Sequence, residues 1–200
     1  MYPRILKRSL DIIGACVGLT CIAPLWPCIV AIIRLESKGP SLVKIKRISG
    51  GRPFLIYKFR TMVHNAHEMK KDLMHLNERN DGPFFKMTND PRLTRVGKML
   101  RKFRIDEFPQ LINVLRGELT LVGPRAHEPE EVEHYPEEFK HIVFAKAGVT
   151  GLSQVNGASG LPFLEELRLD SKYLVHQSLA TDLKIIGKTV KIIFTDPNAV

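Results

Sequence analysis

Apolar and polar positions follow three different rhythms along this chain, and each rhythm predicts a different kind of element. From Ile12 to Ile33 run 22 residues without a charge, enough for a straight helix to cross a hydrocarbon core of about 30 Å. Pro24 and Pro27 fall in the second half of that run, where each removes a backbone donor and predicts a kink or break. The pieces on either side, roughly 12 and 6 to 9 residues, would reach only about 10–18 Å each. After Gly39–Pro40 come two short runs, Ser41–Ile48 and Phe54–Tyr57, flanking Ser49-Gly50-Gly51-Arg52. That arrangement predicts a β-hairpin.

Beyond the hairpin the spacing lengthens to that of helices. A polar amphipathic helix is predicted over residues 64–79 and a loop over 80–90. A basic helix follows over Leu93–Phe103, with Asp90 or Thr94 available for its N-terminus. A second runs from Asp106 to Leu115 and stops at Gly117, with Pro109 tolerated in its first turn. Glu128–Glu138 reads as a solvated acidic helix or loop, Gly148–Gly157 as turn-rich, and Phe163–Val175 as helical. In Leu179–Phe194, Leu179, Leu183, Ile186, Val190 and Ile193 share one face, while Lys184, Lys188 and Lys191 lie elsewhere. This suits an interfacial helix on an anionic membrane as well as an ordinary packed terminal helix.

Charge changes the reading of the apolar run. Arg4, Lys7 and Arg8 precede it; Arg34, Lys38, Lys44, Lys46 and Arg47 follow it. Both flanks are basic, so both ends are drawn to the cytosolic side, and a helix that enters, breaks near Ala23, Pro24 and Pro27 and returns satisfies both observations. Asp11 at its start suits a pair with Arg8 or, by default, a helix cap. Overall the chain carries a formal +9, but residues 1–104 hold 21 Lys+Arg against 7 Asp+Glu and residues 105–200 hold 9 against 14. The basic front half points to anions without choosing among phosphates, nucleic acid and lipid headgroups. Cys16, Cys21 and Cys28 all lie in the apolar run, which argues against a disulfide framework and reads as small residues in a greasy segment. The fold class is α/β, α-rich with a small β-hairpin or sheet. A re-entrant helix-break-helix over residues 1–38 precedes a membrane-surface domain over 39–200, with amphipathic interfacial helices.

Four segments carry candidate chemistry. In Lys58-Phe59-Arg60-Thr61-Met62, strand alternation puts Lys58 and Arg60 on one face, suited to one pyrophosphate or to solvent. In Arg101-Lys102-Phe103-Arg104-Ile105-Asp106-Glu107, two adjacent carboxylates at a helix start follow a cluster of cations that would hold both ionised. Such a carboxylate can act as a nucleophile or hold Mg²⁺, and it can equally be an ordinary helix cap. Arg125 after Gly123-Pro124 suits a bidentate phosphate clamp or a salt bridge to the acidic segment. The glycines of Gly148–Gly157 permit close backbone approach to a ligand or simply make a turn.

Taken together and in order, these strings resemble the small monotopic polyprenyl-phosphate phosphoglycosyl transferases of the bacterial sugar transferase family. The resemblance runs through Lys7–Asp11, the proline-broken segment, Lys58–Met62, Asp90–Gly97, Asp106–Gln110, Leu111–Gly117, Val122–Arg125, Gly148–Gly157, and Asp170 with Tyr173. It implies a monotopic protein on the cytosolic face of the bacterial inner membrane, and a ping-pong reaction needing Mg²⁺. Asp106 would attack the β-phosphate of a UDP-sugar, releasing UMP, and polyprenyl (undecaprenyl) phosphate would take the phosphosugar from the carboxylate. Glu107, with Asp106, would hold the metal; Lys58, Arg60, Arg101 and Arg125 would hold phosphates, with Asp170 in support. Such a reaction starts glycoconjugate or exopolysaccharide assembly. The chain departs from the family pattern at Ala23-Pro24, at Val43–Arg47, at Ala126 after Gly-Pro-Arg, and at Ala158. With no second long apolar run, it reads as a minimal catalytic unit. A non-catalytic basic membrane-binding module would leave Asp106–Glu107 idle, and a nucleic-acid partner is not expected, since the chain has no recognised motif for one. The sugar and pathway are unreadable, and the oligomeric state is open, a homodimer included.

Overall fold

The apolar run folds as helix α1 (Arg4–Ile22) and helix α2 (Trp26–Glu36), separated by a 3-10 turn at Ala23–Leu25. This computed structural model describes residues 3–195. The turn falls where Pro24 removes a donor, and the N–H of Trp26 bonds Ala23 O across it. Pro27 sits in the first turn of α2, where its missing N–H is harmless. Arg4–Glu36 is the one stretch among the described residues long and apolar enough to cross a membrane.

Helix α1 starts well before the uncharged run because its charged residues have partners elsewhere. Lys7 Nζ reaches Asp182 Oδ2 at 2.7 Å and Val122 O at 2.7 Å. Arg8 donates to the carbonyls of Val114 and Leu115. Asp11 is not a cap: it lies inside the helix, buried, and accepts the N–H of Leu121 at 2.8 Å. At the far end, the Glu36 carboxylate accepts the N–H groups of Arg95 and Val96. Both ends of the helix pair are therefore tied to the same body. One stripe of the pair is buried (Asp11, Ala15, Ile22, Ile29, Ile33), with spacings that keep it on one side of a helix. Ala15 joins Ile56, Leu111, Val114 and Leu119 in one core, and Ile22, Ile29 and Ile33 join Phe59 and Leu100 in another. Ile13, Val17, Leu25 and Leu35 face outward, together with all three cysteines.

Strands β1 (Leu42–Ser49) and β2 (Arg52–Phe59) pair antiparallel with Ser49 opposite Arg52. Gly50 (φ 59°) and Gly51 (φ 73°) form the turn between them, and a two-residue hairpin with both central residues left-handed matches the strand twist and favours glycine. The polar stretch contracts to helix α3 (Ala66–Asp72) and a 3-10 turn at Met74–Leu76. The basic helix is α4 (Arg95–Lys102), capped by the Thr94 hydroxyl oxygen accepting from the N–H of Gly97. The segment expected as one helix from Asp106 splits into a 3-10 turn at Ile105–Glu107 and helix α5 (Gln110–Leu115), which gives way to Gly117.

The short parallel pair β3 (Thr120–Val122) and β4 (Gly148–Thr150), with a further bridge from Arg125 to Gly148, is invisible in the sequence pattern. Three residues are too few to show an alternation. Between these strands lie helix α6 (Pro129–Val132), with a capping box of Glu128 and Glu131, and a 3-10 stretch at Glu137–Phe144. Helix α7 (Phe163–Val175) occupies the expected span. Helix α8 (Leu179–Thr195) docks through buried Asp182 and Ile185 and a Thr189–Thr150 hydrogen bond, leaving Leu183 and Val190 exposed.

Candidate active site

The site is built where the hairpin, α4 and the turn before α5 converge. Gly97 lets α4 lie directly on the end of β2, since a Cβ there would stand 1.9 Å from Thr61 O. Arg101, one turn on, then donates from Nε to Thr61 Oγ1 at 3.0 Å. The chain turns back through Arg104 in the left-handed region (φ 54°), a strained backbone for a residue with a side chain. That reversal delivers Asp106 and Glu107 to one cation. Lys58 Nζ, on β2, lies 2.7 Å from Glu107 Oε1 and 3.9 Å from Asp106 Oδ2.

The two neighbouring carboxyls shift in opposite directions. Burial pushes the Asp106 carboxyl above the ordinary carboxylate range; Lys58 and Arg101 oppose this, and the charge of Glu107 reinforces it. Burial also works against Glu107, but Lys58, Arg125 and Arg104 outweigh it and hold that carboxyl down at about 2. The preceding cations were expected to hold both acids ionised. Their effect divides because Lys58, Arg125 and Arg104 act on Glu107, whereas at Asp106 burial and the neighbouring Glu107 charge outweigh Lys58 and Arg101.

A cleft opens beside this pair, lined by Arg47, Lys58, Glu107, Gln110, Arg125 and Gln154 among others. Arg125 is positioned by a buried support. Its N–H donates to Asp170 Oδ2 at 2.8 Å, and Asp170 Oδ1 accepts from the Ser153 hydroxyl at 2.7 Å. Glu166 lies 3.8 Å from Arg125 Nε and 2.7 Å from His127 Nε2, while His127 Nδ1 bonds the Tyr135 hydroxyl. Burial raises the Asp170 carboxyl to about 6 in spite of its two hydrogen bonds. Asp170 thus stands behind Arg125, acting through the backbone.

Of the predicted site residues, the structure gathers Lys58, Glu107 and Arg125 around one cleft, with Asp106 buried 3.9 Å from Lys58, Arg101 acting on Asp106, and Asp170 beneath Arg125. Arg60 lies elsewhere. Strand β2 ends at Phe59, and the buried Arg60 guanidinium turns to the end of α2, where Nη2 donates to Ser37 O at 2.6 Å and Ser37 Oγ at 2.9 Å. Ala23 and Pro24 lie in the break, Pro27 lies just after it in the first turn of α2, and all three are exposed. Arg47, Gln110 and Gln154 fall within segments the sequence singles out but carry no role there; their place in the cleft depends on pairings too distant in the chain to read locally.

The pair Asp106–Glu107 suits a Mg²⁺ shared with a substrate, because that ion is commonly bound by one or two carboxylates with substrate phosphates completing its shell. Among the described residues no group of three or more His, Cys, Asp or Glu side chains could hold a metal by itself.

The family model for bacterial sugar transferases matches residues 2–196. The chain is 39% identical over 197 residues to galactosyl transferase CpsE of Streptococcus agalactiae, covering 98% of this chain and 43% of that protein. It is 40% identical over 204 residues to UDP-glucose:undecaprenyl-phosphate glucose-1-phosphate transferase of Caulobacter vibrioides, covering 96% and 71%. It is 35% identical over 188 residues to exopolysaccharide production protein ExoY of Rhizobium meliloti, covering 92% and 83%. The chain spans less than half the length of several such relatives, among them CpsE and a UDP-galactose-lipid carrier transferase of Erwinia amylovora, of which it covers 40%.

Proposed function

The chain belongs to the bacterial sugar transferase family, and on that premise we propose that it transfers a sugar 1-phosphate from a UDP-sugar to undecaprenyl phosphate, releasing UMP. The observation that carries this reading is the buried Asp106 beside Glu107 and Lys58 at the edge of a cationic cleft. The names of relatives that use UDP-sugars and undecaprenyl phosphate support the substrates.

In the first step an Asp106 carboxylate oxygen bonds to the β-phosphorus. The bond from that phosphorus to the bridging oxygen breaks, and UMP leaves with the electron pair. In the second step an oxygen of undecaprenyl phosphate attacks the same phosphorus and the Asp106–phosphorus bond breaks, restoring the carboxylate and giving a polyprenyl diphosphosugar. Dividing the transfer this way lets a soluble donor and a lipid acceptor react in turn. Lys58 and Arg125 bind and orient the diphosphate, and Lys58 and Arg101 favour the ionised form of Asp106. Asp106 and Glu107 would hold Mg²⁺, which supplies charge neutralisation at the phosphate oxygens when bound.

The anchor fits a one-sided membrane attachment at the cytosolic face. Lys7 and Arg8 at one end and Glu36 at the other contact the same body, which supports a topology with both ends of α1–α2 on one side of the bilayer. The exposed Ile13, Val17 and Leu25 would face lipid. UMP release from a panel of UDP-sugars, using detergent-solubilised protein, Mg²⁺ and undecaprenyl phosphate, tests the reading. Lipid-dependent release is expected; folded protein silent across the panel would overturn it.

A further inference from the structure

Gln154 lies in the cleft, 7% exposed, in a short 3-10 turn after β4. Its amide is oriented by one contact: Nε2 donates to Val149 O at 3.1 Å. With the nitrogen fixed on a carbonyl, the other end of the amide must be the acceptor. That Oε1 is buried and has no hydrogen-bond partner. A buried acceptor without a donor is unfavourable and calls for an explanation. Few other atoms share the condition. The remaining ones among the described residues, Nε and Nη1 of Arg60, belong to a guanidinium already held by Ser37 at the end of α2, away from the cleft.

Apart from the Gln110 amide, the other polar side chains of this cleft are charged. Arg47 is paired with Glu128 and Glu131, Lys58 with Glu107, and Arg125 faces Glu166. Cations of this kind suit a diphosphate, and they discriminate poorly among the neutral groups attached to it. Gln154 offers a different chemistry, a neutral amide with an unmet acceptor on a residue that lines the same cleft as these cations. The geometry points to Gln154 Oε1 accepting a hydrogen bond from a neutral N–H or O–H group of the donor nucleotide sugar, making it a specificity residue for the part of the donor that is not phosphate. This assignment rests on the transferase reading above. A site built to pair such a donor group rejects analogues that lack it far more strongly than an apolar wall would.

The test compares binding of UDP-glucose, UDP-galactose, UMP and inorganic pyrophosphate, with Mg²⁺, to the full chain in detergent and to Gln154→Met. Gln154→Met should weaken at least one uridine ligand by tenfold or more while leaving pyrophosphate within about twofold, reflecting one lost hydrogen bond in a desolvated site. Loss for UMP as well as the UDP-sugars would place the contact on the nucleoside; loss for the sugars alone would place it on the hexose. Because the variant also loses the bond to Val149, a second measurement uses wild-type protein. Analogues with one donor group methylated or removed should include one that binds wild type about tenfold more weakly and binds Gln154→Met no differently from its parent. Equal weakening of pyrophosphate and nucleotides, or no analogue behaving this way, would overturn the assignment. Wild-type protein that binds pyrophosphate but no UDP-sugar would overturn the transferase reading and this inference together.

Discussion

Asp170 gives the sharpest quantitative expectation. Its carboxyl is buried, 1% exposed, and burial raises it from an ordinary 3.8 to about 6. A group whose affinity for protons is higher when folded stabilises the fold at low pH. That contribution is complete below about pH 4 and is lost as pH rises through about 6. The shift of about two units corresponds to about 3 kcal/mol between the two limits. Asp170→Asn keeps an acceptor for the N–H of Arg125 and turns an amide N–H towards the Ser153 hydroxyl, so both contacts survive without the titration. The assay is thermal unfolding of wild type and variant in the same detergent from pH 4.5 to 8. The variant should gain on wild type as pH rises and level off above about pH 6.5. The final advantage should be roughly 6–12 °C in Tm for a protein of this size. Other titrating groups shift both curves alike and cancel in the difference. Parallel curves, or a gap that closes with rising pH, would refute the argument that a buried ionised Asp170 is carried at neutral pH.

Other expectations follow from the same geometry. Asp106→Asn should abolish UMP release while leaving membrane association and Tm near wild type; a wild-type rate would remove the nucleophile role. Glu107→Gln should raise the Mg²⁺ concentration needed for half-maximal rate, and an unchanged metal titration would reassign it. Gly97→Ala drives a methyl into Thr61 O, so α4 must lift, with a stability loss of roughly 1–3 kcal/mol and loss of turnover through Arg101. Wild-type Tm in that variant would show that α4 is not held there.

The parts of this fold that were legible in the sequence are those that local chemistry determines. Helix α7 follows its apolar spacing, and the hairpin follows from two glycines between short apolar runs. The Thr94 cap was one of two candidates named. What could not be read depends on contacts across the chain. Asp106 looks like a helix start, but the left-handed Arg104 and the Lys58 contact give it a separate turn. Arg60 looks like the partner of Lys58 until Ser37 takes its guanidinium. The motif at Gly148–Gly157 drew notice for its glycines, while the residue with an unmet bond there is Gln154. Asp170 reads in the sequence only as a support for the phosphate-binding residues, and its partner, the backbone N–H of Arg125, is visible only in the fold.

The buried stripe along α1 and α2 has a consequence for how such a protein can be rebuilt. Ile22, Ile29 and Ile33 complete a core with Phe59 and Leu100, so these side chains answer to residues on β2 and α4 as much as to any bilayer. A chimaera that grafts the anchor of a relative onto this body would inherit mismatched knobs and sockets, and its failure would look like poor catalysis. Successful exchanges should carry the facing residues with them, and over evolutionary time the two surfaces should drift as a pair.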